Sequence, residues 1–318
     1  MLQLIIWVTV FIFSLFVLVR ASAFFTDAAE VIGRSFRIPE FIVGVTIVAI
    51  GTSLPEIISS IFAVMNDASE IVVGNVIGSN IANIFLVIGL IAIISKKIKI
   101  KHGIIHTDLP LLIGSAFFLA VTIIDGKFSL FEALLCIAGF IVYIFHAVKF
   151  KRKREDPATL KKSSAELRVR IHPKTLVILA TSTIFIYIGA RYTIEAVIKL
   201  SEFLKIGKEV IAASAIAIGT SLPEMTVSII AARKGKPEIA IGNVLGSNIF
   251  NVFMVMGIPA LFGTLIIPKN IVSFGLPILL VATFLFLFMT QDREIRSSEG
   301  WLLLIFYVFF IGKLFRLY

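Results

Sequence analysis

Long apolar segments follow one another along almost the whole chain, and they limit what it can fold into. A helix needs about 20 apolar residues to cross a bilayer. Ten segments meet that length, and we place them at 2–33, 38–64, 71–95, 104–124, 129–148, 174–203, 206–232, 239–266, 271–290 and 300–316. Because helices satisfy their own backbone hydrogen bonds in lipid, the sequence predicts an all-α integral membrane protein with ten transmembrane helices.

The composition excludes the main soluble classes. Apolar residue types make up 58% of the 318 residues and charged types 16%, whereas a soluble domain carries about 25% charge. Cys136 is the only cysteine, so a disulfide scaffold is excluded. No phosphate-binding or hydrolase motif is present, so the sequence does not indicate an enzyme.

The basic residues predict the orientation. Of the 30 Lys and Arg residues, 21 follow odd-numbered segments, and cytoplasmic loops carry the excess of positive charge. Odd-numbered segments should therefore end on the cytoplasmic side of the inner membrane. Both termini should then lie on the outer side of that membrane. The basic segment 149–173 should be cytoplasmic, either as a solvated linker, which we favour, or as a regulatory or lipid-binding loop.

An internal repeat organises the chain. Residues 49–89 align with 217–257 at a constant offset of 168, and 24 of the 41 positions are identical, which excludes chance. Each copy contains five segments, and an odd number places the second copy upside down relative to the first. The sequence therefore predicts two inverted five-helix repeats, 1–148 and 174–318, joined by the linker 149–173.

Glu56 and Glu224 occupy equivalent places inside two apolar segments. A carboxylate at the centre of a membrane helix costs about 2.5–3.5 kcal/mol on insertion scales. No basic residue shares these segments at similar depth, so we expect a cation or a proton to balance the charge. The alternative is a protonated glutamate that is buried for packing.

A proline directly precedes each glutamate. Pro55 and Pro223 have no N–H to give and clash with the carbonyl four residues back. We expect the freed carbonyls to lie around Gly51 and Gly219, with those of Ala49 and Ala217 loosened as well. Such carbonyls are hard oxygen ligands, although a kink without a ligand role remains the alternative.

Side chains four residues apart share a helix face and add further oxygens. The pairs are Thr52 with Glu56, Thr220 with Glu224, Ser79 with Asn83, and Ser247 with Asn251. A set of carboxylate, amide, hydroxyl and carbonyl oxygens suits Ca²⁺, and Na⁺ takes similar ligands. Zn²⁺ and Cu⁺ are disfavoured because the set contains no histidine or cysteine.

Small residues and further asparagines accompany these pairs. The small-xxx-small pairs, which let helices approach closely, are Gly74 with Gly78 and Gly242 with Gly246. For Asn75, Asn80, Asn243 and Asn248 we expect interhelical hydrogen bonds or capping, with a ligand role as the alternative.

The paired GTSLPE and GNxxGSNxxN motifs resemble the α-repeats of the cation/Ca²⁺ exchanger superfamily, and most closely those of the prokaryotic sodium/calcium exchangers. The resemblance implies an antiporter that exports Ca²⁺ while several Na⁺ enter, by alternating access between inverted repeats. Ca²⁺ and Na⁺ would be transported ions, with no organic cofactor. The expected partners are these ions and the lipid bilayer, with no nucleic acid, and the working assumption is a monomer.

The resemblance also implies a set of ligands. The Ca²⁺ ligands would be Glu56, Glu224, Thr52, Thr220 and the carbonyls of Ala49 and Ala217, and the Na⁺ sites would also use Ser53, Ser79, Ser221 and Ser247. Asn251 departs from the Asp of potassium-dependent members and matches Asn83, which argues against K⁺ dependence.

Two other functions remain open at this stage. A proton-coupled Ca²⁺ antiporter is the first alternative, although that branch typically carries a GNxxE motif in place of GTSLPE. A cation channel is the second, but inverted repeats with broken helices favour a carrier. One Ca²⁺ neutralises the charge of the two glutamates, whereas three Na⁺ carry more positive charge than the glutamates balance. We therefore expect electrogenic exchange.

Overall fold

The computed structural model describes residues 2–36, 38, 40–65, 67–99, 108–154, 172–203 and 221–314. The first half contains α1 Leu2–Ser35, α2 Glu40–Val43, a π-helical turn Gly44–Val48, α3 Ala49–Thr52, α4 Leu54–Met65, α5 Glu70–Ala82, a second π-helical turn Asn83–Ile88, α6 Gly89–Ser95, β1 Lys97–Lys99, α7 Leu109–Ile123, β2 Lys127–Phe128 and α8 Leu130–Arg154.

The second half is described for residues 172–203 and 221–314. It contains α9 Pro173–Phe203, α10 Leu222–Arg233, α11 Pro237–Phe250, a π-helical turn Asn251–Val255, α12 Met256–Ala260, β3 Leu265–Ile266, a π-helical turn Ile271–Gly275, α13 Leu276–Thr290, β4 Glu294–Arg296 and α14 Ser297–Leu314. The described part of the chain is mainly helical, and its four short strands lie in connections between helices.

Among the described residues, seven helical stretches are long and apolar enough to cross a membrane. They are Gln3–Ser35, Glu40–Met65, Glu70–Ser95, Pro173–Thr193, Pro237–Ala260, Ile271–Thr290 and Ser297–Leu314. Two shorter apolar helices, Leu109–Ile123 and Leu130–Phe145, match the fourth and fifth predicted segments. Of the seventh segment, predicted at 206–232, the structure describes α10, and residues 204–220 lie outside the described part.

Some predicted boundaries differ from the observed ones. Helix α8 continues to Arg154, so the first residues of the predicted linker 149–173 are helical. The remainder of the linker up to residue 171 lies outside the described residues.

Two short ribbons link the connections between helices. β1 pairs antiparallel with β4, and β2 pairs antiparallel with β3. The offset of 168 relates β1 to β3 and β2 to β4, so it exchanges one ribbon with the other. In the first ribbon Lys97 lies 2.7 Å from Glu294, and the hydrogen bond from Lys97 lowers the pKa of Glu294.

Ion pairs hold α1 against the turn between α10 and α11. Lys234 lies 2.5 Å from Asp27, and Lys236 lies 3.0 Å from Glu30 and 2.5 Å from Glu40. The hydrogen bond to Glu40 raises the pKa of Lys236. These contacts join the connection that follows α1 with the connection that follows α10.

The core is formed where the two halves meet. Helix α11 is buried from Ile239 to Phe250 and packs on α2, α3 and the turn Gly44–Val48. α1 and α9 pack along each other at the outside and expose many apolar side chains, as expected for surfaces that face lipid.

Glycine permits the closest approach between the halves. A Cβ atom at Gly246 would lie 2.5 Å from the Val45 carbonyl oxygen and 2.7 Å from the Ala49 Cβ. Gly242 meets the backbone of Gly44 in the same way. This agrees with the packing role expected for the second small-xxx-small pair. The contacts described for Gly74 and Gly78 do not test the first pair.

We expect Gly246→Ala to lower the free energy of unfolding by about 1–3 kcal/mol, because the new methyl group overpacks a backbone contact. The measurement is thermal unfolding of purified protein in detergent. Gly114→Ala on the exposed face of α7 is the matched control, since no described heavy atom lies within 4 Å of its added Cβ. Equal stability of the two variants would contradict the close approach.

Candidate functional site

Each glutamate lies just after the start of a helix. Ser53 separates α3 from α4 with φ −93° and ψ 5°, and Ser221 precedes α10 with φ −90° and ψ 4°. Pro55 and Pro223 then occupy the first turn of a new helix, where the missing N–H is not needed. In the first half the predicted segment 38–64 is interrupted at Ser53, which agrees with the broken helices expected from the sequence.

The break places each carboxylate at a helix N-terminus. Glu56 lies in the first turn of α4 and Glu224 in the first turn of α10, and both side chains are almost completely buried. The partial positive charge of a helix N-terminus stabilises a carboxylate by about 0.3–1 kcal/mol, and by up to about 2 kcal/mol when partly buried. This is less than the cost of burying two charges, so a compensating charge is still required.

No basic side chain pairs with either glutamate among the described residues. The described ion pairs involve Asp27, Glu30, Glu40 and Glu294 at the ends of the helices. Ser53, three residues before Glu56, donates a hydrogen bond to Glu224, so the two carboxylates belong to the same region. Two like charges in an apolar interior are stable together only if a cation or proton lies between or beside them.

Hydroxyl groups of the first half reach the glutamate of the second half. Ser53 Oγ donates a hydrogen bond of 3.0 Å to Glu224 Oε1. Thr52 Oγ1 lies 3.2 Å from Asn243 Oδ1 and is also within reach of the carbonyls of Val48 and Ala49. The helix break in one half is therefore assembled directly against the glutamate helix of the other.

The carbonyl of Ala49 is not free of hydrogen bonds. It accepts one from the Ser53 N–H at 3.1 Å, and it lies 3.3 Å from the Thr52 hydroxyl, whose single hydrogen can go to this carbonyl, to that of Val48 or to Asn243 Oδ1. A carbonyl oxygen has two lone pairs, so a cation that binds Ala49 would take the place of the Thr52 hydrogen.

Asn243 connects three elements of the site. Its Nδ2 donates to Ser228 Oγ at 2.8 Å and to the Glu224 carbonyl at 3.3 Å, and its Oδ1 accepts from Thr52 and Ser247. This confirms the interhelical hydrogen bonds expected for Asn243. Ser228 and its counterpart Ser60 were not among the predicted site residues, although both lie four residues after a glutamate and recur at the offset of 168.

Four asparagines meet between the halves. Asn80 and Asn248 each donate to the other's backbone carbonyl, at 3.0 and 3.3 Å. Asn83 donates to Asn248 Oδ1 at 2.9 Å, and Asn251 donates to Asn80 Oδ1 at 3.0 Å. Interhelical hydrogen bonds are thus confirmed for Asn80 and Asn248.

The packing brings each glutamate helix to the opposite asparagine. α4, with Glu56, packs on the turn that begins at Asn251, and α10, with Glu224, packs on the turn that begins at Asn83. π-Helical turns of this kind are frequent at functional sites.

Several buried oxygens of this region have no hydrogen-bond partner in the part of the chain that is described. They are both carboxylate oxygens of Glu56, Glu224 Oε2, Asn83 Oδ1, Asn251 Oδ1, Ser221 Oγ and Ser60 Oγ. Buried polar atoms are normally satisfied, and six of these seven belong to residues singled out from the sequence. Oxygens without donors, next to two carboxylates, are the environment that a hard cation needs.

The remaining predicted ligands are placed as follows. Ser79 and Ser247 are buried, and each donates a long hydrogen bond of 3.5 Å to the asparagine four residues before it. Thr220 and Ala217 lie outside the described residues. The described residues contain no group of three or more His, Cys, Asp or Glu side chains, so a nitrogen- or sulfur-based metal site is not found there.

Comparisons with known proteins identify the family of the chain. The family model described as sodium/calcium exchanger protein matches residues 6–149 and 174–315. The chain belongs to this family. Sodium/calcium exchanger MaX1 of Methanosarcina acetivorans is 34% identical over 96% of this chain and 97% of its own length. Inner membrane protein YrbG of Escherichia coli is 31% identical over 86% of this chain and 85% of its own length.

The fold is shared with a solved exchanger. A structure of the sodium-calcium exchanger NCX_Mj, soaked with 2.5 mM Na⁺ and 0.1 mM Ca²⁺, matches with a TM-score of 0.82 and 32% identity. The match covers 97% of this chain and 98% of that chain. The family resemblance inferred from the motifs is thereby confirmed, and the protein is a transporter-family member with membrane-spanning helices.

We expect Ca²⁺ to raise the thermal stability of the purified protein, because a ligand that binds only the folded state stabilises it by about 2.7 kcal/mol at a hundredfold excess over its dissociation constant. Glu56→Gln and Glu224→Gln should each lose this response, since either change removes a charge from the pair. The measurement is a thermal melt with and without Ca²⁺.

Glu70→Gln is the matched control for that experiment. Glu70 is an exposed carboxylate in the first turn of α5, so its removal should leave the Ca²⁺ response intact. A full response in either site variant would show that the stabilising ion binds elsewhere.

Proposed function

We propose that the chain is a secondary antiporter that exports Ca²⁺ in exchange for Na⁺ by electrogenic alternating access. One observation carries the proposal: Glu56 and Glu224 are buried together, with unpartnered oxygens around them and no basic partner among the described residues. Membership of the sodium/calcium exchanger family supports the same two ions.

The proposed ligands follow the sequence expectation. The central Ca²⁺ would be bound by Glu56, Glu224, Thr52, Thr220 and the carbonyls of Ala49 and Ala217. Na⁺ would use the glutamates with Ser53, Ser79, Ser221 and Ser247, and Asn83 and Asn251 would supply amide oxygens. The contact of Ser53 with Glu224 and the unpartnered oxygens of Ser221, Asn83 and Asn251 support this set.

Contacts between connections support ten crossings in two inverted repeats. If all ten segments cross, connections that follow odd-numbered segments lie on one side and the others lie on the opposite side. β1 pairs with β4, and Lys236 with Glu40, between odd connections, whereas β2 pairs with β3 between even ones. Every one of these contacts joins connections of the same side, as ten crossings require.

The repeat units would then be 1–148 and 174–318, related by a pseudo-two-fold axis in the membrane plane. The exchange of the two ribbons by the offset of 168 and the reciprocal bonds of Asn80 and Asn248 support that axis. With the basic connections in the cytoplasm, both termini would lie outside the inner membrane and the segment 149–173 inside.

Alternating access would move α1 and α9 against the remaining helices. These two helices are the longest of the described part, pack along each other, and contact the core with a smaller surface than the inner helices do. Their joint displacement would open the site to one side at a time. Salt bridges from Lys234 and Lys236 to α1 would then form and break as the helices move.

We expect ⁴⁵Ca²⁺ uptake into proteoliposomes loaded with Na⁺, because outward Na⁺ flow drives Ca²⁺ inward through the shared site. Three Na⁺ carry more charge than one Ca²⁺, so an imposed membrane potential should change the rate. The absence of any voltage effect would contradict electrogenic exchange. Uptake that needs only a pH gradient would show coupling to protons instead.

We expect Glu56→Gln and Glu224→Gln to abolish this Na⁺-driven flux, since each removes half of the charge that binds Ca²⁺. Asn75→Ala should largely retain it, because the hydrogen bond described for the Asn75 side chain is a long one, from Ser79. Initial uptake rates at matched protein density provide the measurement. Near-normal flux in either glutamate variant would remove the proposed site.

A further inference from the structure

We propose that Asn80 and Asn248 are positioning residues, which fix the direction in which Asn251 and Asn83 present their side-chain oxygens to the transported ions. The inference rests on the proposed function, and it assigns a role to two side chains that are not themselves ligands. Both side chains are buried where the two halves meet.

Backbone carbonyls anchor the two amides. Asn80 Nδ2 donates to the Asn248 carbonyl at 3.0 Å, and Asn248 Nδ2 donates to the Asn80 carbonyl at 3.3 Å. A carbonyl can only accept, so the amino end of each side chain must face it. The oxygen ends of Asn80 and Asn248 are therefore fixed on the other side.

Those fixed oxygens determine the orientation of the next pair. Asn80 Oδ1 accepts from Asn251 Nδ2 at 3.0 Å, and Asn248 Oδ1 accepts from Asn83 Nδ2 at 2.9 Å. A flipped amide at Asn83 or Asn251 would place oxygen against oxygen and turn its N–H groups away from the acceptor. The network thus permits one orientation only.

In this orientation two amide oxygens remain available to bind a cation. Asn83 Oδ1 and Asn251 Oδ1 are buried and have no hydrogen-bond partner within the described ranges. The turns that carry them pack on α10 and α4, the helices whose first turns contain Glu224 and Glu56. Each amide therefore presents an oxygen, rather than an N–H group that would repel a cation.

The connections are crossed between the halves. Asn80 of the first half orients Asn251 of the second, and Asn248 of the second half orients Asn83 of the first. Removal of the Asn80 side chain should therefore affect the amide oxygen of Asn251 and leave that of Asn83 oriented. A role limited to holding the two helices together predicts no such preference.

The test is a double-mutant cycle read by equilibrium ⁴⁵Ca²⁺ binding to purified protein. Asn80→Leu should weaken Ca²⁺ binding about tenfold, the effect of losing one oriented oxygen contact worth about 1.4 kcal/mol. In the background of Asn251→Ala, Asn80→Leu should have no further effect. In the background of Asn83→Ala it should still weaken binding about tenfold.

Two further variants control for structural damage. Asn80→Ala removes the same hydrogen bonds without adding volume, and it replaces Asn80→Leu if the latter does not purify as a folded protein. Thr283→Val removes a buried hydroxyl that donates to the Leu279 carbonyl on α13, so it should alter stability without altering Ca²⁺ binding.

Ca²⁺ binding by the wild-type protein distinguishes failure of the positioning role from failure of the proposed function. If it binds Ca²⁺ and the Asn80 variants bind equally well, or if their effect is the same in both backgrounds, the positioning role is overturned while the proposed function stands. If the wild type binds no Ca²⁺, the proposed function fails and the positioning role fails with it.

Discussion

The main physical constraint on this structure is that two carboxylates are buried with no basic partner among the described residues. Glu56 and Glu224 are both buried, and no Lys, Arg or His in the described residues pairs with them. Each glutamate lies at a helix N-terminus, where backbone N–H groups offset part of the cost. Under the proposed function a cation would balance the rest of the charge, and the unpartnered oxygens of this region would coordinate it.

The internal repeat supplies this site with two copies of the same structural elements. Each half supplies a broken helix with a glutamate and a second helix with asparagines, and the contacts between them cross from one half to the other. Ser53 reaches Glu224, and Asn80 and Asn248 exchange hydrogen bonds at the centre. Gly242 and Gly246 permit this by allowing α11 to contact the backbone of the opposite helix. Under the proposed function, neither half would contain a complete set of ligands, so movement of one group of helices against the other would change access to the ions.

The sequence predicted much of this, and the limits of the prediction have physical causes. Apolar segments located nearly all the helices, since lipid leaves helices as the main solution. The repeat and the apolar context indicated Glu56 and Glu224, because a charge in an apolar segment needs a compensating cation or proton. The proline indicated an interruption near Glu56, but it did not decide between a kink and a new helix that starts at Leu54. The orientation of the asparagine amides depends on backbone atoms some 168 residues away, and no local pattern encodes such contacts. The ligand roles, including those of Thr220 and Ala217, remain predictions.

The most direct test of the central claim is to locate the bound ion. Crystals of the purified protein soaked with Sr²⁺, a heavier analogue of Ca²⁺, would show its position by anomalous scattering. The account predicts one strong peak between the carboxylates of Glu56 and Glu224, within contact of Thr52, which weakens as Na⁺ is raised. A saturated peak elsewhere, with none beside the two glutamates, would contradict the account.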